Sequence, residues 1–152
     1  MLTETLERQL REHPFLRELA EDHLRLLAGC AKNARFAAGA RILREGDEET
    51  TFYLLRQGSV ALEAHAPGRP AACVETLVPG DVLGVSWLFP GSTVHLDARA
   101  REAVVAFALD GGCLREKMER DDRLAAAITR RLLERTYQRL ARLRLLKLDI
   151  YR

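Results

Sequence analysis

Residues 94–101, Val-His-Leu-Asp-Ala-Arg-Ala-Arg, alternate in character at every step. On an extended chain this places Val94, Leu96, Ala98 and Ala100 on one face and His95, Asp97, Arg99 and Arg101 on the other. An imidazole, a carboxylate and guanidinium groups on one face have two uses. They can surround an anionic ligand, or they can neutralise one another as an exposed, ion-paired strand face. Just upstream, Gly84-Val85-Ser86-Trp87-Leu88-Phe89-Pro90 combines a turn glycine, a hydroxyl and two large aromatics. Trp87 serves either as packing and pocket filler or as a stacking platform for a base.

Metal chemistry finds little support. A cupin-like metalloenzyme needs closely spaced histidines and a carboxylate. His13 and His23 fall in N-terminal helical text, and His65 and His95 are isolated, with no His-x-His pair. The expected metal set is none, and no catalytic residues are assigned. The three cysteines, Cys30, Cys73 and Cys113, are odd in number and widely spaced. They suggest neither a disulfide framework nor a zinc motif, and are read as free thiols in a reducing cytoplasm.

Three stretches must position these groups. Residues 1–33 read as helical, with Leu6, Leu10, Leu16, Leu19, Leu24, Leu27 and Ala31 at helical separations. Pro14 splits that stretch into two short helices. Residues 34–110 break into short apolar runs, among them TFYLLRQ, SVALEAHA, ACVETLV, VHLDARA and EAVVAFALD. Glycine, proline and acidic clusters separate them, the pattern of a small roll or barrel. Seven of the ten glycines lie between Gly39 and Gly91, where turns call for positive φ. Residues 112–152 turn helical again: a short helix around Leu114–Arg120, then a long helix opened by Asp121-Asp122. Ile128, Leu132, Leu133, Tyr137, Leu140, Leu143, Leu146 and Ile150 stripe that helix. Such a stripe needs a second surface, either a copy of itself or the chain's own roll.

Composition bounds the rest. The chain has 152 residues, 47% hydrophobic and 30% charged, with a formal net charge of +2. This fits one globular domain and excludes a disordered, collagenous or disulfide-dense chain. The longest apolar runs fall far short of the ~20 residues of a membrane span. The acidic start, with Glu4 and Glu7, is unlike a signal peptide. The charge balance argues against a protein that coats nucleic acid, although residues from Asp121 onward carry nine basic against four acidic groups.

Three frames occur in order: Phe36-x-x-Gly39-x-x-Ile42-x-x-Glu45-Gly46-Asp47, then Phe52-Tyr53-Leu54-Leu55-x-x-Gly58-x-Val60, then Pro79-Gly80-Asp81-Val82-Leu83-Gly84. Together they resemble the cyclic nucleotide-binding domain family, across nearly the whole chain. The resemblance implies an α+β, mainly β fold: a β-roll (double-stranded β-helix or jelly roll) with helices before it and a long helix after it. Phe36, Ile42, Phe52, Leu54, Val60 and Val82 would fill its interior. Residues 84–100 would be the phosphate-binding cassette, in which a short helix offers free N–H groups to the cyclic phosphate.

That family places a glutamate just after the cassette glycine, for the ribose, and an arginine about ten residues later, for the phosphate. Here those positions carry Val85 and His95. Losing two charge-assisted hydrogen bonds of roughly 1.5–3 kcal/mol each weakens binding by about two to four decades. The candidate ligand contacts are Gly84, Val85, Ser86, Trp87, His95, Leu96, Asp97 and Arg99, joined by Arg135 and Thr136 of the long helix. Leu133, Tyr137, Leu140 and Leu143 are the expected dimer interface. The ligand is cAMP, cGMP or another small anion, or none. The expectation is a dimeric cytoplasmic sensor module that is not an enzyme, with altered cyclic nucleotide binding and a regulated partner protein. With no helix-turn-helix after the long helix, DNA binding is not expected, and with no long apolar run neither is membrane attachment. The alternatives are a structural interaction module whose pocket is filled by Val85, Trp87 and Phe89, and the metalloenzyme above.

Overall fold

The computed structural model describes residues 2–150, with side chains over residues 5–148. The chain divides into two compact units, residues 1–116 and 117–152.

The first unit opens with α1 (Leu2–Arg11), a 3₁₀ turn (Pro14–Leu16) and α2 (Glu21–Ala28). Proline at the first position of the 3₁₀ turn lacks only an N–H that would go unused there. The buried His13 caps the turn. Its Nδ1 accepts from Phe15 N at 3.1 Å, so Nε2 carries the proton and donates to Leu55 O at 2.8 Å. Eight strands follow: β1 (Ala31–Phe36), β2 (Arg41–Leu43), β3 (Thr51–Gln57), β4 (Val60–Ala64), β5 (Ala72–Leu77), β6 (Val82–Leu83), β7 (Asp97–Ala100) and β8 (Val104–Asp110). They form two four-stranded antiparallel sheets, ordered β1-β8-β3-β6 and β2-β7-β4-β5. The roll is therefore as expected, with two differences of extent. Helix ends at Ala28, and Ala31–Phe36 is an edge strand on β8 rather than the end of a helix. The turn text Val82-Leu83 also forms a short strand on β3.

The interior needs a correction. Leu55, Val60, Leu62, Leu77, Leu83, Ala98, Ala100, Val104 and Ala106 form the buried core, with Phe36, Ile42 and Tyr53 packed against it. Phe52, Leu54 and Val82 are buried but lie on the other face of their sheet, in register with Leu109, Phe107 and Leu54 respectively. There Phe52 meets Phe15 and Trp87, with ring centroids 5.5 and 5.1 Å away. A strand covered on both faces has no polar alternate, so TFYLL does not show which residues look inward.

All seven glycines between Gly39 and Gly91 adopt positive φ. Gly58, at φ +81°, also has no room for a side chain, since a Cβ would run into Ala103 O. Cys30 and Cys113 are joined in a disulfide with Cα atoms 5.8 Å apart, which corrects the expectation of free thiols. The pairing of β1 with β8 brings these residues together, and spacing along the chain could not show it. Cys73 remains a free, exposed thiol.

Helix α3 (Gly111–Arg120) starts where Asp110 Oδ1 accepts from Cys113 N at 2.8 Å. In the second unit, α4 (Asp122–Ile150) is capped by Asp121, whose Oδ1 accepts from Arg123 N and Leu124 N at 3.1 and 3.0 Å. Leu124, Ile128 and Leu132 are buried, whereas Leu133, Tyr137, Leu140, Leu145, Leu146 and Leu148 are exposed. The side chain of Ile150, part of the expected stripe, lies outside the described residues. Among the described residues no helix is long and apolar enough to cross a membrane.

Candidate cassette and its acidic backing loop

Strand β6 pairs Leu83 with Tyr53, which places the next residue, Gly84, beside the start of β3. Gly84 turns the chain at φ +103°. A second 3₁₀ turn, Ser86–Leu88, follows at once. Trp87 anchors it: the side chain is fully buried and Nε1 donates to Gly84 O at 3.2 Å. Arg115 of α3 donates from Nη1 to Trp87 O, so a guanidinium holds the carbonyl end of the turn.

The other end of the turn is held by a residue the sequence reading passed over. Glu49 belongs to the acidic loop before β3, yet only 6% of it is exposed. Its Oε2 accepts from Ser86 Oγ at 2.5 Å. Its Oε1 is buried with no hydrogen-bond partner. Burial pushes the Glu49 carboxyl above the usual range, opposed by the Ser86 hydroxyl and by the backbone N–H groups of Ser86 and Val85. Gly84 makes room for this carboxylate, because a Cβ there would run into Glu49 Oε1.

The acidic loop is tied to the far end of the cassette as well. Gly46 N donates to Val94 O and Val94 N to Asp47 O, both at 2.9 Å. Gly91 N donates to Glu48 Oε1 at 3.3 Å, and Glu45 N to Asp97 Oδ1 at 2.7 Å. The acidic run EGDEE, a separator between apolar runs in the sequence, thus forms the back wall of the candidate cassette. A cavity of about 190 Å³ opens beside it, lined by Ile42, Leu43, Tyr53 and Val94 and by Arg44, Asp47, Glu48 and Glu49.

The alternating stretch resolves into pairs. Asp97 is buried, with Oδ2 2.7 Å from His65 Nε2 and 3.8 Å from Arg41 Nε. The Glu45 N–H holds its carboxyl below the usual range against the opposing effect of burial, helped by Arg41 and His65. Arg99 Nε lies 2.9 Å from Glu63 Oε1, and Arg101 Nη1 donates to Thr76 Oγ1 at 3.2 Å. His95 is exposed, and Leu96 packs against the core. Val85 and Ser86 are half-buried, while Phe89, expected as a pocket filler, is 61% exposed. Arg135 and Thr136 lie on α4 in the second unit, where Thr136 Oγ1 donates to Leu132 O at 2.8 Å. Among the described residues, no group of three or more His, Cys, Asp or Glu side chains could hold a metal ion.

The sequence pattern of the cyclic nucleotide-binding domain matches residues 34–121, more than half of the chain and all of the roll except the first half of β1. The chain belongs to the cyclic nucleotide-binding domain family. It is 32% identical over 110 residues to cyclic nucleotide-gated ion channel 18 of Arabidopsis thaliana, a match covering 66% of this chain and 16% of the channel. A solved protein from Geobacter metallireducens GS-15 named for cyclic nucleotide binding is 26% identical, with a TM-score of 0.77 over 88% of this chain and 97% of that one. The regulatory domain of Toxoplasma gondii PKA, solved with cAMP, shares the fold at 19% identity and a TM-score of 0.72, over 90% of this chain and 50% of that one. Domains of this family are regulatory rather than catalytic, although some sit within kinases and channels.

Proposed function

We propose that this cyclic nucleotide-binding domain is a sensor module whose cassette receives a nucleotide-class ligand more weakly than the family pattern would. One observation carries this reading. The scaffold of the cassette is kept, with Gly84 at φ +103° and the Ser86–Leu88 turn, while Val85 and His95 stand at the two anchoring positions. A valine accepts no hydrogen bond from a ribose hydroxyl, and an imidazole is a poorer phosphate partner than a guanidinium. Arg99 of β7 and Arg101 just after it do not substitute, since Arg99 is engaged with Glu63 and Arg101 with Thr76.

The same reading has two copies associating through α4, where Leu133, Tyr137 and Leu140 present an exposed apolar row beside the half-buried Leu143. Output then passes to a partner protein or through dimer geometry. Calorimetric titration with cAMP, cGMP and cyclic dinucleotides tests the sensor reading. Dissociation constants from high micromolar to millimolar are expected, and silence across the panel refutes it.

A second reading, a structural interaction module, is favoured by Trp87, which is buried completely beneath the cassette. A cyclic nucleotide bound more tightly than about 10 µM, a free energy near −7 kcal/mol, would exclude it.

A further inference from the structure

We propose that Glu49 is a specificity-determining residue of the cassette: its carboxylate takes up the donors a phosphate would use, and so turns the site against the anionic part of a nucleotide. The inference rests on the sensor reading and deepens it by naming which part of the ligand the cassette refuses.

Three observations converge. First, the cradle is built around this carboxylate. Oε2 takes the Ser86 hydroxyl at 2.5 Å, and the absent side chain of Gly84 leaves the space that Oε1 occupies. Second, the loop carrying Glu49 is fastened along the cassette by Gly46, Asp47 and Glu48, so the carboxylate is set in place rather than left to swing. Third, the local charge does not favour an anion. The cavity beside the cassette sets one guanidinium, Arg44, against Asp47, Glu48 and Glu49, while Arg115 is spent on Trp87 O.

A phosphate offers only acceptor oxygens to donors already in use, and it meets a like charge at close range. An uncharged ligand group, by contrast, meets no such repulsion from the Glu49 carboxylate. The cassette therefore discriminates by charge, favouring an uncharged nucleoside over the corresponding cyclic phosphate.

The test compares adenosine with cAMP by calorimetric titration at neutral pH, on the unaltered chain and on Glu49→Gln. The unaltered chain is expected to bind adenosine at least as tightly as cAMP. In Glu49→Gln the ratio of cAMP to adenosine affinity should rise by about tenfold or more, the scale of one charge-assisted hydrogen bond. A purely structural role for Glu49 would weaken both ligands together and leave the ratio unchanged, which overturns the proposal. So does an unaltered chain that prefers cAMP by tenfold, a result that leaves the sensor reading standing and needs no variant to fold. Binding of neither ligand to either protein at millimolar concentration overturns both readings.

Discussion

The Cys30–Cys113 disulfide should set a large part of the stability of the first unit. The bond closes a loop with a sequence separation of 83 residues. In the chain-entropy account, removing that constraint frees about 15 cal/mol/K in the unfolded chain, or about 4.5 kcal/mol at 25 °C. The native state needs the bond much less, because β1 pairs with β8 and Asp110 N donates to Cys30 O at 2.9 Å whether or not the sulfurs are joined. Reduction therefore acts mainly on the unfolded ensemble. With a urea slope of about 2 kcal/mol/M for a chain of this size, the midpoint should fall by about 2 M. The assay is urea unfolding followed by tryptophan fluorescence, with and without reductant, on the unaltered chain and on Cys30→Ser, Cys113→Ser and the double variant. Either single change breaks the same bond, so the three variants should coincide and none should respond to reductant. Equal midpoints for the oxidised and reduced unaltered chain would refute the reasoning, as would alkylation of three thiols in the folded, unreduced protein.

The remaining expectations concern the cassette, its backing loop and the terminal helix. Gly84→Ala should cost about 1–3 kcal/mol through positive φ, and more through the clash with Glu49; thermal melts should show Gly84→Ala/Glu49→Ala losing less than the sum of the singles. Asp97 and Glu49 should give opposite pH dependences of stability in urea melts. Because the folded carboxyl of Asp97 titrates below the usual aspartate range, its contribution is complete above that range and lost as pH falls through the depressed value, and Asp97→Asn should flatten this acid limb. Because the folded carboxyl of Glu49 titrates above 4.5, its contribution is complete below that value and lost as pH rises through the elevated one, and Glu49→Gln should remove the decline. Leu140→Asp places a charge in the exposed row of α4, so light-scattering mass should fall from dimer to monomer; an unchanged mass sinks the proposed interface.

What could be read from the sequence depended on how local the cause was. The turns of the roll were legible because each glycine frame carries its own backbone requirement, and Asp121 marked the start of α4 through a contact two to three residues away. Strand β1 was not legible, since Ala31 falls at helical spacing from Leu27 and only pairing with β8 makes the segment extended. The side of the sheet taken by Phe52 and Leu54 was hidden by a strand apolar on both faces. Glu49 was hidden for a different reason. Nothing within EGDEET separates it from its acidic neighbours, and its role depends on the pairing of β3 with β6, which sets Gly84 and Ser86 against it. The alternation of residues 94–101 was legible, but the partners that settle it, Glu63, His65 and Arg41, come from other strands or their ends.

The exposed sulfur of Cys73 has a practical consequence. It lies on β5, the outer strand of its sheet, and with the other two cysteines bonded to each other it is the single free thiol. A maleimide dye or nitroxide label can therefore be attached at one known position without engineering the chain, provided that no reductant is present. The same thiol lets two molecules crosslink in air through their sheet edges. A covalent pair on a non-reducing gel would then report this accidental bond rather than association through α4, and Cys73→Ser is the background in which self-association is best weighed.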